Sequence, residues 1–168
     1  DVTVTHDPDD GLILKSTATG DDNPFLLTLQ TGETDIQAGD VIGQIDFQAP
    51  DEGTGTDSRL VAASIVASSE GDFAADNNAT MLAFHTGSSE TATEKFRIES
   101  SGSCGIAADG GTSSNHLRIG ASADFKLYHD GTNTVLNNGT GALILKGDDI
   151  AMNSSSGESM FSALGNSS

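Results

Sequence analysis

Short apolar runs alternate with polar, glycine-bearing turns along this chain. Between Leu117 and Lys146, three such runs (117–119, 125–128 and 143–145) are separated by turn signals, and Val135-Leu136 makes a weaker fourth. The turns are Asp130-Gly131 and Asn138-Gly139, where glycine supplies the positive φ of a tight hairpin. Each run is too short for a helix, and the spacing predicts small strands folding back on themselves. So short a stretch buries little alone. It reads as one rung of a longer β structure that must stack on something else.

The same reading extends upstream. Residues 1–30 predict strands at 2–5, 12–15 and 25–29, separated by acidic turns at 6–10 and 20–24. Asp10-Gly-Leu-Ile-Leu-Lys15 recurs as Gly141-Ala-Leu-Ile-Leu-Lys146, and a His-Asp pair precedes each copy (His6-Asp7 and His129-Asp130). This weak repeat predicts similar β modules at both ends.

Residues 33–107 form a separate module. At 41–48, alternation puts Val41, Gly43, Ile45 and Phe47 on one face and Ile42, Gln44, Asp46 and Gln48 on the other, a half-buried strand apart from Ile42. Residues 60–67 carry small or apolar side chains on both faces and read as a central, doubly covered strand. Further strands are expected at 80–85 and 94–98, with loops at 50–58, 70–78 and 86–93. Four strands at this spacing predict an antiparallel sheet or small sandwich. A Gly/Ser hinge at 109–115 is the best boundary. The expected organisation is therefore 1–32, 33–108, the hinge, and 116–168, with isolated apolar islands at 150–152 and 160–164.

Composition strengthens the β reading. The 168 residues include 20 Gly, 3 Pro, no Trp and 1 Tyr, too turn-rich for a helical protein. With 35% hydrophobic and 5% aromatic residues, a lone core would be thin, and thin cores commonly need disulfides, metals or partners. Cys104 is the only cysteine, which excludes a disulfide within one chain and leaves oligomerisation as the favoured staple. A first residue of Asp1, and a Ser-Ser end that does not close the pattern, predict a processed product or part of a longer protein.

The net charge of −18 sets 25 acids against 7 Lys and Arg, a field that opposes binding to nucleic acid or an anionic membrane. It reads first as a solvated surface and second as a means of recruiting divalent cations. No apolar run approaches the ~18 residues of a membrane span.

Two stretches carry a resemblance. Phe125-Lys-Leu-Tyr-His-Asp-Gly-Thr-Asn133 followed by Gly141-Ala-Leu-Ile-Leu-Lys-Gly-Asp148 resembles modules in tail-fibre and other virion structural proteins of marine bacteriophages and cyanophages. Lys95-Phe-Arg-Ile-Glu-Ser-Ser-Gly-Ser-Cys-Gly-Ile106 resembles the strand, Ser-Ser-Gly, strand segment of many phage fibres, although Ser103 and Ala107-Ala108 depart from its usual form. The matching stretches lie between Val41 and Asp149. The resemblance implies a parallel homotrimer in the virion, touching other tail proteins and a host cell-surface glycan or protein. The expected fold is all-β: a small antiparallel sandwich-like module flanked by short-strand stalk repeats of β-helix or β-prism character.

Candidate chemistry is sparse. Gly102-Ser103-Cys104-Gly105 lacks the spacing and following helix of a hydrolase elbow. Glycan cleavage needs two carboxylates about 5–10 Å apart, but sugar clefts usually stack rings on Trp or Tyr, and only Tyr128 is present. Asp7-Pro-Asp-Asp-Gly11 fails as a calcium loop because Gly11 and Ala18 fall where ligands are required. Asp21-Asp22-Asn23, and Asp72 with Asp76-Asn77-Asn78, read as ordinary acidic turns before calcium sites. His6, His85, His116 and His129 show no zinc spacing.

The expectation is a non-enzymatic attachment component without catalytic residues or cofactor, Ca2+ being the one ion considered. Receptor-facing positions are expected in the loops, at Asp51, Glu52, Asp57, Asp72, Asp76, Asn77, Ser88 and Glu90. The alternatives are a calcium-stabilised bacterial surface adhesin and a polysaccharide-degrading tailspike.

Overall fold

The computed structural model describes residues 2–7, 11–49, 55–108, 110–111, 114–152 and 156. Its regular structure is antiparallel β throughout, with a single 3-10 turn at Asp57–Arg59 among the described residues. The chain divides into two compact units, residues 1–108 and 109–168.

The first unit opens with a hairpin of β1 (Val2–Asp7) and β2 (Gly11–Ser16), in register from Val2↔Ser16 to Asp7↔Gly11. The run at 25–29, expected as a third strand, joins no sheet, and Phe25, Leu26, Leu27 and Leu29 are exposed. Apolar residues favour a strand only where a neighbouring edge can accept the backbone, and Pro24 removes a donor at the start of this run. Leu29 instead lies against Gly43, where a Cβ would sit 3.3 Å from the Leu29 Cβ.

Five strands follow: β3 (Val41–Gln48), β4 (Val61–Ser69), β5 (Thr80–Thr86), β6 (Thr93–Ile98) and β7 (Cys104–Ile106). They pair in chain order as one antiparallel meander. The edge strand β3 bears register shifts between Val41 and Gly43 and between Phe47 and Gln48, and β7 is only three residues long.

The register sorts the side chains onto two faces. Pairings such as Ile45↔Ile65, Ile65↔Phe84, Phe84↔Phe96, Phe96↔Ile106 and Leu82↔Ile98 make one face apolar. The other face carries Gln44 and Asp46, Ser64, Val66 and Ser68, Met81, Ala83 and His85, and Arg97.

The buried residues follow from this sorting. Among the described residues they are Val66, Ala83, Ser64, Ser68 and Ser69, all on β4 or β5. Val66 pairs with Ala83, and both are small enough to be roofed by longer neighbours. Arg97 is one such roof: its Nη1 reaches Met81 Sδ at 3.8 Å, and its Nε lies 3.3 Å from Glu94 and 3.5 Å from Glu99. β4 is the most covered strand because it is flanked on both sides, although its other face (Ala63, Ile65, Ala67) is only half-buried. Among the described residues of this unit the five-stranded sheet stays open, and the β1–β2 hairpin is a separate two-stranded sheet.

In the second unit β8 (Leu117–Ile119), β9 (Phe125–His129) and β10 (Thr134–Asn138) form a three-stranded sheet in the order β10-β9-β8. The Asp130-Gly131 turn is formed, with Gly131 at φ 89°. The Asn138-Gly139 turn closes no hairpin. The positive φ falls at Gly141 (69°), and the run at 143–145 stays exposed outside any sheet. Asn138 Nδ2 donates to the carbonyls of Thr140 and Gly141, both at 3.0 Å, and Gly139 N–H donates to Asp124 C=O at 2.7 Å. The Gly139 bond ties the chain after β10 to the β8–β9 loop, and the Asn138 bonds brace the turn locally. Ile150 and Met152 are exposed, and the island at 160–164 lies outside the described residues.

Candidate functional site

The topology distributes the loop candidates between the two ends of the five-stranded sheet. Asp57 lies in the 3-10 turn before β4, and Ser88 and Glu90 lie in the loop after β5. Because Ala63 pairs with Thr86, these loops meet at one end and line a shared shallow depression. Gly87 N–H donates to Ala62 C=O and Ala92 N–H to Val61 C=O, both at 2.8 Å, which fastens the loop to β4. Thr56 Oγ1 donates to Asp57 Oδ1 at 3.0 Å. Two carboxylates and a hydroxyl in a shallow hollow can hydrogen-bond a polar partner. Asp51 and Glu52 lie outside the described residues.

Asp72, Asp76 and Asn77 sit at the opposite end, in the loop between β4 and β5. Asp72 Oδ1 accepts the Ala38 N–H at 3.1 Å, and Asn77 Nδ2 donates to Asp72 C=O at 2.7 Å. Asn77 Oδ1 also accepts the Ala79 N–H at 3.2 Å. Asp72 therefore ties this loop to the turn before β3, Asn77 holds the loop's own backbone, and Asp76 is exposed. Among the described residues no group of three or more His, Cys, Asp or Glu is arranged to hold a metal ion.

Several other polar groups have structural partners, and two that could act together are kept apart. Cys104 is on the apolar face, opposite Ile98, whereas His85 is on the other face, opposite Ser64, so the two do not pair. Glu94 and Glu99 converge on the Arg97 guanidinium, at 3.3 Å and 3.5 Å from its Nε. His116 Nδ1 lies 2.9 Å from both the Gly111 and Ser114 carbonyls, so that nitrogen carries the proton and donates to them. Its ring stands 6.4 Å from that of Tyr128. In the β9–β10 turn, Asp130 Oδ1 accepts the Asn133 N–H at 2.7 Å and the Thr132 N–H at 2.9 Å. These two bonds hold the Asp130 carboxyl below its ordinary value of 3.8.

The feature that reading residue by residue missed is the apolar face itself. Ile45, Phe47, Leu82, Phe84, Phe96, Ile98 and Ile106 each expose between 37% and 54% of their surface. Phe84 and Phe96 form a tilted pair across β5 and β6, with centroids 6.0 Å apart. The three-stranded sheet repeats the arrangement, since Leu117, Leu127 and Leu136 align across β8, β9 and β10 and all are exposed. The signal was available as an i, i+2 apolar pattern in several strands. Alternation identifies an apolar face but does not say what covers it. Among the described residues no helix is long and apolar enough to cross a membrane.

A scan against protein-family models and a search of curated proteins both find no match to this chain.

Proposed function

We propose that this chain is a non-enzymatic structural component of a phage tail fibre or similar virion appendage, acting outside the cell in host attachment. It works as a homotrimer, joined to other tail or virion proteins, and requires no cofactor. The observation that carries this reading is the apolar face left open on the five-stranded sheet and again on the three-stranded sheet. A chain with so little internal core gains its stability from association, as obligate oligomers do. In the assembled trimer, the sandwich-like second layer and the stalk character of the end modules come from neighbouring copies. The loop end bearing Asp57, Ser88 and Glu90 is presented to a host glycan or protein.

Light scattering with and without a chelator tests this reading. The expected mass is about three times the 17.1 kDa of one chain, unchanged by chelation. A stable single chain that loosens when calcium is removed would replace it with the adhesin reading. Release of reducing sugar from host glycans would replace it with the tailspike reading.

A further inference from the structure

We infer that the apolar face of the β3–β7 sheet is the surface through which copies of this chain meet. The inference rests on the reading of the chain as a self-associating structural part and deepens it by naming the surface. Three observations single out this face and this occupant.

The first is area. The seven large apolar side chains of the face present on the order of 600 Å2, the upper end of the largest patch that monomers usually leave exposed. A standard interface covers about 800 Å2 per partner, of which a core about 65% apolar requires roughly the same amount. The face therefore supplies about the apolar area that one standard contact buries per chain, shared in a trimer between the two neighbouring copies.

The second is charge. Two chains of net charge −18 repel wherever their acids face each other. The strand residues that the register places on this face include no Asp or Glu; Asp46, Glu94 and Arg97 belong to the opposite face or its bulge. Copies can meet here with their acids directed away from the contact.

The third is dependence. The buried hydrophobic residues among those described are Val66 and Ala83 alone. A covering partner must then be present whenever the chain folds. A second copy is always available in matching amount, whereas a different partner would have to be supplied in step. Leu29, resting on Gly43 beside Ile42, Ile45 and Leu82, bounds the face on its β3 side with one more apolar wall.

Thiol reactivity tests the surface separately from the copy number. In a Cys104→Ser background, Leu82→Cys puts a thiol at the centre of the apolar face and Gln44→Cys puts one on the opposite face. Both variants are mass-checked by light scattering and treated with an uncharged alkylating reagent. The expected result is alkylation of Leu82→Cys about tenfold or more slower than Gln44→Cys in the native assembly, with equal rates after denaturation. A trimer in which the two thiols react equally overturns the face while leaving the structural role standing. A single chain at micromolar concentration overturns both. Phe84→Asp adds a second arm: it should dissociate the copies, while the opposite-face charge of Gln44→Glu should not. Dissociation by both variants alike counts against the inference.

Discussion

Ser69 and Asp40 are bonded in both directions: Ser69 N–H donates to the Asp40 carbonyl at 2.9 Å, and Asp40 N–H donates to Ser69 Oγ at 3.0 Å. The Ser69 hydroxyl also donates to the Gln37 carbonyl. Ser69 is among the most deeply buried side chains described, so the turn before β3 is fastened to the end of β4 by a buried polar group. Ser69→Ala removes the hydroxyl and leaves its partners with poorer bonds. It should cost about 1–2 kcal/mol in urea unfolding, with Ser69→Thr recovering part of the loss.

Gly87 allows a close backbone approach. A Cβ there would sit 2.5 Å from the Glu90 carbonyl oxygen, inside the loop bonded to Ala62. Neither neighbour is a flexible side-chain end. Gly87→Ala should therefore displace the loop and destabilise the first unit by about 1–3 kcal/mol, read as a lower denaturation midpoint.

The Asp130 turn gives a pH dependence of known sign. Its carboxyl is held below 3.8 by the Asn133 and Thr132 amides, so the folded turn favours the ionised form. That contribution is complete above the unfolded value and is lost as pH falls through the lowered folded value. Amide resonances of Thr132 and Asn133 should shift together as the pH drops below 3.8, and Asp130→Ala should abolish the transition.

Hydrogen exchange should separate the paired strands from the apolar runs that found no partner. Amides of β4 and β5, flanked on both sides, should exchange at least about a hundredfold more slowly than those at 25–29 and 143–145. Comparable rates would mean that those runs pair after all.

The contrast between those runs and β3 marks how far the sequence could be read. Residues 41–48 alternate apart from Ile42 and sit between turn signals, and the strand has those bounds, although the shift between Val41 and Gly43 moves Val41 off the face that alternation predicts for it. The runs at 25–29 and 143–145 are as apolar, yet pairing needs a free neighbouring edge, which composition does not encode. Gly139 looked like a hairpin glycine by its dipeptide, but the Asp124 carbonyl captured its amide. Loop candidates could be named from polarity. That Asp57, Ser88 and Glu90 share one end while Asp72 and Asn77 brace the other depends on strand order, which no local pattern carries.

The edges of the five-stranded sheet set a limit on what the protein can build. β3 is interrupted by two register shifts and β7 ends after three residues, so neither offers a long, regular ladder to an incoming strand. Growth by lateral strand addition is blunted at both margins, and contact between faces uses up the surface that drives it. Under the proposed association through the sheet face, the expected product is therefore a closed particle with a fixed number of chains, not an amyloid-like ribbon that lengthens without end.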